Sequence, residues 1–235
     1  MADHVARIIT FSGIDGAGKT TQIESLSAQL IQLGYRVTRV AFWDDVAVLP
    51  KLRAGVSWRI LRKKGIPEPS ASLRNDKNVH TWYLALVRAV FYLLDSLRLR
   101  SVVHRLTGGD SDFVIFDRYM YDQVVQVRAR HWLARRYIRL LITLTPVPDI
   151  GLILDASPDD AFSRKPEYPL SFMHEYRKSF LGLRAFVPEL TVISPASIEE
   201  VKQRILARVL LASAVSSDEA NLVRPSGNSI LSNSP

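Results

Sequence analysis

Eight residues near the start of this 235-residue chain, Gly13-Ile14-Asp15-Gly16-Ala17-Gly18-Lys19-Thr20, have the types and spacing needed to hold a phosphate. Glycines let such a loop turn so that successive backbone N–H groups point inward at phosphate oxygens. The lysine that closes the loop reaches the β- and γ-phosphates of a nucleotide, and the hydroxyl after it is a ligand for Mg²⁺. Gly13, Ile14, Asp15, Gly16, Ala17, Gly18, Lys19, Thr20 and Thr21 are therefore the expected ATP-binding residues, with Thr20 on the metal. Asp15 is out of place in a loop built for anions, so its carboxylate must serve something other than the donor phosphates.

A second pair stands at the end of an apolar run, "FVIFDRY", where Asp117 and Arg118 are adjacent. Open α/β sheets bind ligands at the carboxyl ends of their parallel strands. An aspartate there holds Mg²⁺ or accepts from the attacking group. An adjacent arginine can grip an acceptor phosphate through two N–H groups at once. Taken alone, Asp117 would read as a helix cap; the arginine beside it favours the functional reading. Arg88 lies inside an unusually apolar stretch, "LALVRAVFYLL", where a charge needs a partner or a ligand.

These groups need a scaffold that delivers them to one edge. Five short apolar runs read as strands: "ARIITFSG", "YRVTRVAFW", "DFVIFD", "IGLILD" and "ELTVIS". Helical segments alternate with them. Ile23, Leu26, Leu30 and Leu33 recur at helical spacing before the stop at Gly34. A basic segment from 51 to 64 is expected to be helical, and "GIPEPSAS" to break it. From Asn78 to Thr107 no glycine or proline intervenes, and Val79, Trp82, Leu86, Val90, Leu93 and Leu97 mark an apolar face read as core-facing. Further helices are expected over roughly 121–144, from "SPDDAFSRK" onward, over 170–186, and in "SIEEVKQRILARVLLA". Strands alternating with helices imply a parallel sheet covered on both faces. One domain over 1–212 and a disordered Ser/Asn-rich tail over 213–235 are expected.

Composition narrows the partners. The formal charge is +8 and 47% of residues are hydrophobic, so the chain buries a core and favours anionic ligands. The densest basic cluster, "VRARHWLARRYIR", reads as a solvated helix face, and a nucleic-acid partner is not expected. With no cysteine there is no disulfide framework, which fits a reducing compartment. The N-terminus lacks the pattern of a signal peptide, and no stretch has the length and apolarity of a membrane span. A cytoplasmic protein is expected.

At this point the motifs resemble those of the thymidylate kinases. "FSGIDGAGKTTQ" resembles that family's phosphate loop, "FDRY" its Asp-Arg-Tyr strand end, and "PDIGLILDASPDDAFSRK" the strand that leads into its arginine-bearing lid. "VISPASIEEV" is similar to the late strand and loop that pass the adenine. The resemblance runs in order from about Ile8 to Val209. It implies an α/β P-loop NTPase three-layer sandwich and transfer of the γ-phosphoryl of ATP, with Mg²⁺, to a nucleoside monophosphate, dTMP first. It implies catalytic roles for Lys19, Asp15, Asp117, Arg118 and Arg164, an acceptor site of Asp15, Arg88, Arg118 and Tyr119, metal ligands Thr20 and Asp117, and a homodimer. Asp15 would face the acceptor's sugar hydroxyl. Arg164 and Lys165, in a lid over about 164–172, would lay positive charge on the transferring phosphoryl. Without the resemblance, the pair Arg164–Lys165 reads equally well as cations at a helix C-terminus.

One segment departs from the family. Its Arg-Glu-Pro-Gly-Gly stretch after the second strand is replaced here by "AFWDDVAVLPKLR", in which Arg53 is a candidate substitute for a phosphate contact. Two other readings therefore stay open. One keeps the fold and takes a nucleoside, sugar or other metabolite as acceptor, in which case Arg118 matters less than Asp117. The other is a nucleotide-binding regulatory module whose basic surface meets nucleic acid or a protein partner.

Overall fold

The computed structural model describes residues 5–49, 82–127, 131–166 and 168–222. The sequence expectations for the basic segment 51–64, the break at 65–72, Arg53, and the tail beyond residue 222 lie outside them.

Five strands form one all-parallel sheet: β1 (Arg7–Ser12), β2 (Val37–Ala41), β3 (Phe113–Asp117), β4 (Ile150–Leu154) and β5 (Thr191–Ile193), in the order β2-β3-β1-β4-β5. All five runs read as strands from their apolar, β-branched content are strands. β1 is central, pairing Phe11 with Asp117 on one side and Ser12 with Ile153 on the other. That register sets the ends of β1 and β3 side by side, and with them the phosphate loop and the Asp117–Arg118 pair.

Successive side chains on these strands serve opposite faces, as the two-residue period of a strand requires. Ile9, Phe11, Phe113, Ile115, Leu152 and Leu154 face one layer, built by α1 (Lys19–Gln32) and α7 (Ile198–Leu222) through Ile23, Leu26, Leu30, Ile205 and Val209. Ile8, Val114, Phe116 and Ile153 face the other. There they meet α2 (Trp82–Thr107), α4 (Trp132–Leu144) and α6 (Leu170–Gly182). Two short helices, α3 (Met120–Val124) and α5 (Pro158–Arg164), follow β3 and β4. Each fully buried Phe or Leu in these layers contributes roughly 1.5–3 kcal/mol.

Three expectations change. The helix expected over 121–144 is two helices, α3 and α4. The last helix does not stop at residue 212 but runs to Leu222, and Arg7 donates to the carbonyls of Ala212 and Ser213 across that boundary, at 2.6 and 3.1 Å. The face of α2 is also reversed. Leu86, Val90 and Leu97, read as core, are 60%, 51% and 47% exposed, while Tyr92, Asp95, Ser96, Leu99 and Val103 are buried. The buried face carries polar groups beside Leu99 and Val103 because those groups find partners. Asp95 accepts from the Val48 N–H at 2.7 Å and from Gln123 Nε2 at 2.6 Å, and Ser96 donates back to Tyr92.

Candidate active site

The phosphate loop closes between the end of β1 and the start of α1, as its sequence pattern requires. At Gly16, φ is +84°, and a Cβ would stand 2.5 Å from the Ala161 carbonyl oxygen of α5. At Gly13, φ is +143°, and a Cβ would meet the Leu154 carbonyl oxygen at 2.5 Å. Only glycine fits at either point, so the loop is pressed onto β4 and onto α5. Lys19 Nζ donates to the carbonyls of Gly13 and Ile14, both at 2.9 Å. Burial and then the charge of Arg118 lower its pKa from 10.5 to about 8, against Asp122, Asp15 and Asp117. A phosphate in the loop would take over the ammonium from the two carbonyls. The Ile14 side chain turns into the core, so this residue meets the site through its backbone.

The loop, Asp117, Arg118, the β4 end, α5 and the β5–α7 connection enclose a cavity of about 490 Å³. Asp15, Gly16, Ala17, Gly18, Lys19, Thr20, Thr21, Asp117, Arg118, Arg164 and Lys165 all line it. Arg164 ends α5, with its Nε donating to the Asp160 carbonyl at 3.0 Å, and is otherwise exposed toward solvent. The far wall is Ile193, Pro195, Ala196, Ile198 and Val201, an apolar surface suited to a flat ring. Thr20 and Asp117 offer hard oxygen donors on one cavity, which suits Mg²⁺ completed by phosphate oxygens and water. Among the described residues no group of three or more His, Cys, Asp or Glu forms an all-protein metal cage.

Asp15 is engaged with Arg118. Arg118 Nη2 donates to Asp15 Oδ1 in a close ion pair, while Nη1 donates to Asp122 Oδ1 at 3.3 Å. Arg118 takes φ +68°, in the left-handed region that non-glycine residues rarely enter, and its own N–H donates to the Phe11 carbonyl at 3.0 Å. Burial pulls the guanidinium pKa down, but Asp122 and Asp15 together outweigh it and hold it above the usual arginine value. Asp122 is wholly buried; burial pushes its carboxyl up, opposed by Arg118, Lys19, the Ser12 hydroxyl and the Tyr119 N–H. Ser12 Oγ donates to Asp122 Oδ2 at 2.6 Å.

Two expected acceptor residues are not brought to this cavity. Tyr119 is fully buried, packed edge-on against Phe116 at 5.3 Å, and its hydroxyl donates to the Pro146 carbonyl at 2.7 Å. It is a core residue, because the unusual φ at Arg118 sends the arginine outward and the tyrosine in. Arg88 sits half-buried on α2 and is not among the cavity's lining residues. Sequence reasoning missed Ser12, Asp122 and Asp155. Asp122 had a signal: it stands four residues after Arg118 and three after Tyr119, the spacings of an ion pair and of a helix cap. Asp155, just after β4, lines the cavity and takes a two-point grip from Arg177 at 2.6 and 2.7 Å, which ties α6 to the end of β4.

No family model matches the chain. Individual relatives do. A probable thymidylate kinase of Methanosphaera stadtmanae is 24% identical over 199 residues, spanning 83% of this chain and 92% of its own length. One from Archaeoglobus fulgidus is 26% identical over 208 residues, 84% and 92% of the two chains. The thymidylate kinase of Chlorobium luteolum is 29% identical over 174 residues, 72% of each. In fold, the structure of thymidylate kinase from Candida albicans matches with a TM-score of 0.61 at 18% identity, covering 89% of this chain and 93% of that one. That from Ehrlichia chaffeensis matches with a TM-score of 0.54 at 20% identity, covering 88% and 99%. The chain is thymidylate kinase-like in sequence and in fold, at the distance of a divergent relative.

Proposed function

We propose that the protein transfers the γ-phosphoryl of ATP, with Mg²⁺, to a nucleoside monophosphate, with dTMP as the first acceptor to test. The observation that carries this reading is Arg118: a guanidinium held beside Asp15, in the phosphate-loop cavity, where an acceptor phosphate would meet the donor. The loop N–H groups, the N-terminus of α1 and Lys19 hold the donor phosphates. Thr20 and Asp117 would hold Mg²⁺, which would supply positive charge against the phosphate oxygens. Asp15 passes from Arg118 to the acceptor's hydroxyl. Arg164 and Lys165 answer the charge that builds on the equatorial oxygens of the transferring group. Catalysis on this reading is positioning and charge neutralisation. The names of the relatives support dTMP as the acceptor.

Comparing Arg118→Ala with Asp117→Ala separates this reading from a nucleoside or sugar kinase. A monophosphate acceptor requires both side chains, so both variants lose at least a hundredfold in kcat/KM for it. If Arg118→Ala keeps near-normal turnover while Asp117→Ala is inactive, the acceptor carries no phosphate and this reading falls.

We also propose a homodimer. Leu86, Val87, Val90, Leu94 and Leu97 are 40–60% exposed and share one side of α2, an apolar stripe of the kind that protein–protein contacts cover. Among the described residues no helix is long and apolar enough to cross a membrane.

A further inference from the structure

Asp122 touches neither the donor cavity nor solvent, yet it is placed where a charge would do work. It is fully buried, and its two oxygens have different duties. Oδ2 accepts from the Ser12 hydroxyl at 2.6 Å and the Tyr119 N–H at 3.3 Å, which fixes the carboxylate to β1 and to the start of α3. Oδ1 accepts from Arg118 Nη1 at 3.3 Å. Capping a five-residue helix does not need a buried charge; an uncharged oxygen would accept the Tyr119 N–H as well. A buried carboxylate without a cation is costly, so its charge is matched to the guanidinium it holds. Arg118 therefore has a rear contact, inside the protein, and a front contact, Nη2 on Asp15, at the cavity.

We propose that Asp122, braced by Ser12, is a positioning residue for acceptor binding. It holds one edge of the Arg118 guanidinium so that the other edge exchanges partners, from the Asp15 carboxylate in the empty site to the acceptor's phosphate in the filled one. The exchange frees Asp15 for the acceptor's hydroxyl at the moment the phosphate arrives. An arginine anchored at both the backbone, by Arg118 N–H on Phe11, and the guanidinium edge loses little side-chain freedom when the ligand binds. This rests on the phosphoryl-transfer reading above.

The test uses the full chain carrying Asp122→Asn, which keeps the size and an oxygen for Tyr119 but removes the charge. The KM for the acceptor monophosphate should rise about tenfold, the scale of one charge-assisted hydrogen bond, and the KM for ATP by distinctly less, since Asp122 only supports the charge of Lys19 from a distance. Ser12→Ala, which keeps the charge and removes only the brace, should shift the acceptor KM the same way by less. An unchanged acceptor KM, or equal rises in both KM values, overturns the proposal. A second readout does not depend on turnover. The Nε–H resonance of Arg118 in the nucleotide-free protein, assigned by its loss in Arg118→Lys, should be sharp in the wild type. In Asp122→Asn, or in Ser12→Ala if the first variant fails to fold, it should move toward the exposed arginines. A resonance that stays put sinks the positioning role alone. A resonance that moves in a protein that phosphorylates no acceptor upholds the anchoring of Arg118 and sinks the kinase reading alone.

Discussion

Lys19 shows what the site costs the fold. Its ammonium is buried on two backbone carbonyls with a pKa near 8, so the folded empty protein carries a charge it would be more stable without. Its folded pKa is below the unfolded one, so the unfolded chain binds the extra proton between about pH 8 and pH 10.5, and stability rises with pH across that window. Lys19→Met should abolish transfer. Below pH 8 it should also relieve a penalty of about 3 kcal/mol at most, less what the two carbonyls lose. Urea melts at pH 7 and pH 10 check this: the wild type should gain on the variant as pH rises. Asp15→Asn makes a complementary prediction. ATP affinity should stay within a few-fold, while kcat/KM for the acceptor falls roughly ten- to a hundredfold. Equal losses on both substrates would make Asp15 merely part of the turn.

At the scale of elements, α2 offers the sharpest test because its outward side is the apolar one. Leu99 is fully buried and Leu97 is 47% exposed, two residues away. In the Val90→Asp, Leu94→Asp background, where no dimer contact covers the stripe, Leu99→Ala should cost roughly 2–5 kcal/mol in chemical denaturation and Leu97→Ala under about 0.5 kcal/mol. The reverse ranking would restore the face that apolar spacing alone suggests. That spacing misleads here because the helix buries Asp95, whose partners Val48 and Gln123 come from other elements and leave no local trace. The strands, by contrast, were legible: β1, β3 and β4 are buried on both faces and so nearly continuously apolar, and the edge strands β2 and β5 keep enough β-branched residues to be read. The phosphate loop was legible for a related reason: its glycines are demanded by contacts of 2.5 Å to the Leu154 and Ala161 carbonyls. The inward turn of Tyr119 was not, because it goes with one left-handed residue, Arg118, that spacing does not reveal, whereas Asp122 left a trace in its spacing from both.

For the whole molecule, register places the site: pairing Phe11 with Asp117 sets the phosphate loop beside Arg118, and the Gly16 contact seats α5 on that loop. The exposed stripe on α2 extends the reading to assembly. Sedimentation equilibrium of the wild type should give twice the chain mass of 26.5 kDa, and Val90→Asp together with Leu94→Asp should halve it with the fold intact. A wild type that sediments as a monomer would remove the dimer. The most direct measurement is transfer itself. Purified protein with Mg²⁺ and ATP labelled in the γ-phosphate, offered a panel of nucleoside monophosphates, nucleosides and phosphorylated sugars, should label one monophosphate to its diphosphate, with dTMP the first expected. Label passing to none of them while ATP remains bound would contradict a kinase. Label passing to a nucleoside or a sugar instead would contradict the role assigned to Arg118.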